Sequence, residues 1–324
     1  MPASVIGLEI AEEAIRAVEV THGKHPTMVA GGEVPLPPGA AKDSEVLDPD
    51  AVALAVRQLW AHAGLKSRKV VLGVANRRIL VREYVSPKLP PALLKAALPF
   101  EVGDLLPVPV DQAVLDFYPI SETDTQILGL LVAAVSETVE GLISTLGRAK
   151  VRATAVDFLP FGLARLGPAA TGPAEQAVAI ASIGEHTTSV VITVAGIPRF
   201  VRIIPVDLAG GSLPQPPADG IARRALDGGG QGPDPELADL VARLRGTLDF
   251  YSARDGATPV GTLYLTGAAA TAPGVGQAIA AGLPVGVRYL GVPDLVGLSK
   301  SAASRGVPPP SLVNALGIAL GDSR

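Results

Sequence analysis

Apolar positions at the start of the chain fall in two runs, 5–10 and 14–20, separated by the short elbow Ala11-Glu12-Glu13. Both runs are rich in β-branched residues, which predicts two strands, and "PTMVAGGEVPL" (26–36) predicts a third that closes a meander. The pattern then changes period. Asp48-Pro49-Asp50 offers an N-cap with Pro at the first helical position, and Val52, Val56, Leu59 and Ala63 recur at helical spacing until Gly64. "KVVLGVA" (69–75) is a continuous apolar run of the kind found in strands buried on both faces.

The same succession restarts at residue 177. "AVAIASI", the elbow "GEHT", "TSVVITVAG" and "IPRFVRIIPV" predict another meander, followed by a helix near 236–253 and the strand "GTLYLTG". A shift of 173 positions lays Ile183 on Ile10 and Val191 on Val18. Duplicated βββαβα halves facing each other across a cleft form the layout of actin and the sugar kinases, with a ligand seat between the two elbows.

Two segments stand outside the repeat. Residues 83 to about 150 open with the breaker-rich "SPKLPP" and predict a small α/β subdomain. Its strands are "AVLDFYPI" and "TQILGLLVAAV", followed by a helix from Ser136 to Lys150 that Ser136 opens. The Gly- and Pro-rich stretches "LAGGSLPQPPADG" and "LDGGGQGPDPE" predict loops. The expected division is 1–84 for the first lobe, 85–150 for the insertion, 151–170 with a C-terminal helix 311–321 returning to the first lobe, and 177–324 for the second.

Length and composition fit this division. A chain of 324 residues suits two lobes of roughly 150 residues each. Hydrophobic residues make up 48%, yet the longest uncharged apolar run, 127–135, falls well short of the roughly 20 residues that a membrane-spanning helix needs. No basic segment or small-residue cleavage site marks the amino terminus for export. The absence of cysteine excludes disulfides and thiolate zinc sites and agrees with a reducing cytoplasm. A net charge of -4 provides no general attraction to nucleic acid or anionic lipid. The histidines, at 22, 25, 62 and 186, lack metal-ligand spacing. "DGGGQG" lacks the lysine of a phosphate loop, and no G-x-S-x-G elbow supplies a nucleophile.

At "LPFEVGDLLPVPVDQAVLDFYPI" the chain resembles the PilM branch of the actin-like proteins, relatives of the cell-division protein FtsA, in which "I-R-W-E-A-E-Q-Y-I-P-F-P" precedes "VVLDYQVL". The family's aromatic falls at Phe100, its glutamate at Glu101, its paired prolines at Pro107 and Pro109, and its "VLDY" at Val114 to Phe117. "AVDFLPFGLARL", "LRGTLDFYSARDG", "LYLTGAAATAPGV" and "VNALGIAL" are similar to later family blocks in the same order. The resemblance implies an actin-like (ribonuclease H-like) α/β fold with an insertion of the FtsA 1C type. It further implies an adaptor of type IV pilus assembly, often ring-forming, that sits in the cytoplasm and reaches the inner membrane through its partner. That partner would be the cytoplasmic tail of a PilN-like protein, held in a groove with Leu89, Leu93, Phe100, Leu105 and Leu106 as candidate walls.

Family members that bind ATP carry D-I-G-x-x-S/T in the first elbow and D-I-G in the second. Glycine admits backbone N–H groups to the phosphates, the hydroxyl donates, and the aspartate holds the water shell of Mg²⁺. Here the first aspartate is Glu9, the glycine is Ala11, and Glu12, Glu13 and Ala14 stand where the hydroxyl would be, with Arg16 as the basic residue beyond. Ser182 replaces the second aspartate, Gly184, Thr187 and Thr188 remain, and Gly267 of the adenosine-side turn is followed by Ala268 and Ala269. No catalytic residue, metal or cofactor is expected, ATP with Mg²⁺ binding weakly at most. The rival readings are an ATP-dependent switch of the same fold and an FtsA-like membrane tether.

Overall fold

The computed structural model describes residues 4–171, 176–208 and 234–321. β1 (Ser4–Ile10), β2 (Ala14–Thr21) and β3 (Thr27–Pro35) form the expected antiparallel meander. The short hairpin of β4 (Ala41–Lys42) and β5 (Glu45–Val46) leads into α1 (Pro49–Ala63). The Asp48 carboxylate accepts the N–H groups of Asp50 and Ala51, both at 3.0 Å, and Gly64 ends the helix at φ 75°. Both signals were legible because each satisfies or terminates orphan backbone groups locally.

β6 (Lys69–Val74) runs parallel to β1. The chain then leaves this sheet through β7 (Leu80–Pro87), α2 (Pro91–Glu101), β8 (Ala113–Glu122) and β9 (Gln126–Val135). These strands form a separate sheet in the order β7-β9-β8, whose α2 face closes a small core of Leu94, Leu98, Val102 and Leu131. α3 (Ser136–Arg148), β10 (Arg152–Phe158) and α4 (Leu159–Thr171) return to the first lobe.

The second lobe comprises β11 (Ala177–Ile183), β12 (Thr187–Val194), β13 (Ile197–Pro205), α5 (Pro235–Ser252), β14 (Val260–Thr266), α6 (Val275–Gly282) and β15 (Gly286–Tyr289). Its sheet order is β13-β12-β11-β14-β15. The chain then goes back to the first lobe. β16 (Gly297–Leu298) pairs with β3, α7 (Lys300–Ala303) packs beside it, and α8 (Val313–Ala319) lies on β1 and α4.

The repeat extends to hydrogen-bond register. Adding 173 to each β1–β2 pair, from Ser4↔Thr21 to Ile10↔Ile15, gives the β11–β12 pairs Ala177↔Val194 to Ile183↔Thr188. Because side chains alternate faces along a strand, register also fixes which layer each residue enters. Ile6, Leu8 and Ile10 face the outer core with α1, whereas Val18, Ile180 and Val191 share an inner core with α4 and α8 between the two sheets. Close approach of α8 depends on glycine: a Cβ on Gly7 would lie 2.0 Å from the Ala315 carbonyl oxygen.

Several expected boundaries move. The inserted sheet begins at Leu80 rather than residue 85, because β7 pairs with β9 along its whole length. α3 lies outside the insertion, since Leu142, Leu146 and Ala149 join the first lobe's outer core. Ser136 is the first residue of α3 but makes no capping bond. β16, α7 and α8 belong to the first lobe, so the second does not run on through them. The predicted loops "LAGGSLPQPPADG" and "LDGGGQGPDPE" lie mostly outside the described residues.

Candidate functional site

The two elbows meet across a cleft at the inner ends of β1, β2, β11 and β12. In the first lobe, Glu9 is the register partner of Arg16, and Arg16 is the partner of Glu33 on β3. Three adjacent strands thus carry a charge row, Glu9–Arg16–Glu33, on one face of the sheet. Direct cross-strand neighbours lie close enough for opposite charges to pair.

The pairing is observed. Arg16 is buried, with Nε donating to Glu33 Oε2 at 3.1 Å, Nη2 to Glu13 Oε1 at 2.7 Å, and Nη1 lying 3.7 Å from Glu9 Oε2. From α8, Asn314 Nδ2 donates to Glu9 Oε1 at 2.7 Å. Ser311, just before that helix, donates to Glu33 Oε2 at 2.8 Å. Burial opposes the Arg16 charge, but Glu9, Glu13 and Glu33 together outweigh it and hold the guanidinium protonated beyond its usual range. Glu9 responds in the opposite sense. Its desolvation exceeds the help it receives from Arg16 and Asn314, so its pKa lies above the ordinary carboxylate value. Glu9 Oε2 and Asn314 Oδ1 are buried without a hydrogen-bond partner.

Across the cleft, the equivalents of Glu9 and Arg16 are Ser182 and Ser189, paired in register and uncharged. Each elbow closes on itself: Ala11 N–H donates to Ala14 O and Gly184 N–H to Thr187 O, both at 3.0 Å. Gly267 adopts φ 98°, where a Cβ would meet the Ile183 carbonyl oxygen at 2.5 Å. Its N–H donates to the Pro310 carbonyl at 3.4 Å, which also accepts Thr266 Oγ1 at 3.1 Å. Pro310 and Ser311 therefore tie the second lobe to the first lobe's charge row.

The remaining cavity measures about 60 Å³. Its acidic lining residues are Glu9, Glu12, Glu13 and Asp43, and its basic ones are Arg16 and His186. His186 sits 3.9 Å from Glu12 and 3.8 Å from Asp207. Among the described residues, no group of three or more His, Cys, Asp or Glu is placed to hold a metal ion. All eight expected cleft residues, Glu9, Ala11, Arg16, Ser182, Gly184, Thr187, Gly267 and Ala268, line this one cavity. Glu33, Ser311 and Asn314 were missed. Glu33 could be reached only through strand register, and the two α8-side residues carried no local signal.

The five groove candidates separate into two groups. Leu89 and Leu106 pack against the small core under α2. Leu93, Phe100 and Leu105 project from the insertion as an exposed ridge, Phe100 being 90% exposed. Glu101 and Asp104 lie exposed beside them.

Residues 7–203 match the family model for type IV pilus assembly protein PilM. No curated protein matches the chain. Among solved structures, a PilM-PilN type IV pilus biogenesis complex superposes with a TM-score of 0.81 at 24% identity, covering 99% of this chain and 98% of that one. The ethanolamine utilization protein EutJ from Carboxydothermus hydrogenoformans gives 0.54 at 14% identity over 99% and 90%. Both likenesses agree with the actin-like fold. Among the described residues, no helix is long and apolar enough to cross a membrane. Because the family model spans more than half of it, including both elbows and the whole insertion, the chain belongs to the PilM family of type IV pilus assembly proteins.

Proposed function

We propose that this protein is a non-catalytic adaptor of pilus assembly that holds a short tail of a PilN-like inner-membrane protein on its inserted subdomain. The observation that carries the reading is the ridge of Leu93, Phe100 and Leu105, an exposed apolar surface that a soluble protein seldom leaves uncovered. A protein of the same fold has been solved as a PilM-PilN complex, which supports extending such a partner to this chain. The acidic flank of Glu101 and Asp104 favours a tail that combines apolar anchors with a basic residue. Such a protein works in the cytoplasm and meets the inner membrane through its partner.

The cleft supports the non-catalytic part. A triphosphate needs free cations and open backbone donors, whereas Arg16 is engaged by three carboxylates and the Ala11 and Gly184 amides by carbonyls of their own elbows. A carboxylate of Glu12 or Glu13 about 4 Å from a phosphate would oppose binding by roughly 4 kcal/mol at an effective dielectric near 20. The cavity of about 60 Å³ is also far smaller than the usual few hundred Å³ of a ligand pocket.

Thermal unfolding with added ligand tests both parts. A partner-tail peptide at about 100 times its Kd should add roughly 2.7 kcal/mol to stability, and MgATP should add nothing. Phe100→Ser should abolish the peptide shift without lowering the basal melting temperature. A shift with MgATP at micromolar affinity, or none with any inner-membrane pilus tail, would overturn the proposal.

A further inference from the structure

The first lobe holds a second cavity at the ends of β1, β2 and β3 that lie away from the elbows. α1 ends at Ala63, and Gly64, at φ 75°, lines this space together with Ser4, Glu19 and Thr21 of the sheet. The cavity measures about 540 Å³, within the usual range of roughly 300–1,000 Å³ for ligand pockets, whereas the cleft offers about 60 Å³. Val29 and Ala30 of β3 add apolar lining, and the segment around α7 closes one side.

Glu19 occupies a place in the sheet where its neighbours are core residues. It follows Ile15 and Ala17 at the alternating spacing of β2 and is the register partner of Ile6, all three in the outer core. Glu19 is nevertheless a carboxylate, and only 5% exposed. Ser4 Oγ donates to its Oε1 at 2.7 Å and the Lys66 N–H to its Oε2 at 3.4 Å. A carboxylate offers about four acceptor sites, so part of this capacity is open. Buried charges are ordinarily paired, yet among the described residues no cation lies within ion-pairing distance of Glu19.

Two basic side chains border the same space. Arg305 Nη1 donates at 2.9 Å to the His62 carbonyl, one of those that the end of α1 leaves over. Its guanidinium lies against Gly64, where an added Cβ would fall 2.6 Å from Nη2. Lys66 lines the cavity as well, and among the described residues neither Lys66 nor Arg305 has a carboxylate within ion-pairing distance. The lining therefore carries one buried negative charge and, apart from it, two positive ones.

We infer that this cavity binds a small zwitterion, its ammonium group held by Glu19 and its anionic group by Arg305 and Lys66. A simple cation would leave the two basic groups unmatched, and a simple anion would leave Glu19 so; a molecule with both signs answers each. Both contacts are charge-assisted hydrogen bonds, roughly twice as strong as neutral ones. The cavity shares no residue with the cleft or with the Phe100 ridge, so the inference is independent of tail binding.

Isothermal titration of the full chain with unbranched ω-amino acids, from β-alanine through γ-aminobutyrate to longer members, tests the inference, because the series varies the distance between the two charges. Binding should peak at one chain length. For that member, the N-acetyl derivative, which lacks the ammonium, and the carboxamide, which lacks the carboxylate, should each bind about tenfold more weakly or worse. Glu19→Gln should abolish the preference for the free amine over its N-acetyl form. Lys66 is exposed, so Lys66→Ala tests the other end even if the Glu19 variant does not fold, and it should weaken the amino acid more than the carboxamide. Phe100→Ser should leave the titration unchanged, which separates this site from tail binding. No binding across the series, equal binding of the amino acid and both derivatives, or undiminished binding to Glu19→Gln would each overturn the inference.

Discussion

Replacing Arg16 by leucine isolates the physics of the charge row. The substitution keeps apolar bulk at the site but removes the cation that faces Glu9, which is only 7% exposed. Glu33 and Glu13 retain a route to water, with side chains 40% and 18% exposed, so most of the cost falls on Glu9. Removing one partner of a buried ion pair typically costs about 3–5 kcal/mol. The pH dependence follows from the direction of the Glu9 shift. Its folded pKa lies above its unfolded value through desolvation, so its contribution is fully present below the unfolded pKa and is lost as pH rises through the folded one. Without Arg16 that pKa rises further. The deficit of the variant should therefore be largest near about pH 8 and shrink toward about pH 5 as Glu9 takes up a proton. Urea unfolding followed by circular dichroism at both pH values measures it, and Glu9→Gln in the same background should recover roughly 2 kcal/mol. A deficit under about 1 kcal/mol at the higher pH, or one that grows on acidification, would refute the assignment of Glu9 and Arg16 as a coupled buried pair.

Gly7→Ala should cost about 3 kcal/mol or more, because its Cβ would lie 2.0 Å from the Ala315 carbonyl and force α8 off the sheet; limited proteolysis should then cut the chain near α8. Gly141→Ala, in α3 with nothing within 4 Å of the added carbon, should instead stabilise by about 0.4–1 kcal/mol in the same assay. Asp48→Ala removes an N-cap that accepts two backbone N–H groups, and chemical denaturation should show a loss of about 0.5–2 kcal/mol.

Features written locally in the chain were legible. The β1 and β2 alternation, the caps of α1 and the shift of 173 residues each depend on a short window or on comparing two such windows. The charge row depends on a register that the sequence conceals. Counting back from the pair Thr21↔Thr27 without interruption would place Gly32 opposite Arg16. An irregularity between Glu19 and Val20 shifts the pairing by one and brings Glu33 there instead. Arg16 thus reads in sequence as a cation free for phosphate, although in the fold it has a carboxylate on both neighbouring strands. Asn314 reaches Glu9 from a helix 305 residues away, beyond any local pattern. β7 was missed as the start of the insertion because an edge strand keeps charged residues such as Arg82 and Glu83, which blur its alternation.

The two halves share backbone register but not chemistry, and the difference bears on what the cleft can do. A ligand moves a lobe equilibrium only by the difference in its affinity for the two arrangements. In the first half the polar row is satisfied largely from within, by Arg16, Asn314 and Ser311. In the second, Ser182 and Ser189 bring hydroxyls without charge. At the cleft the lobes are also tied by the chain's own Pro310 carbonyl, which takes the Gly267 amide and the Thr266 hydroxyl. On the adaptor reading, a nucleotide entering the cleft would meet an Arg16 already engaged by three carboxylates. On that reading, the duplicated fold therefore acts as a rigid mount, and the binding surface lies at its edge, on the inserted subdomain where Phe100 of α2 faces solvent.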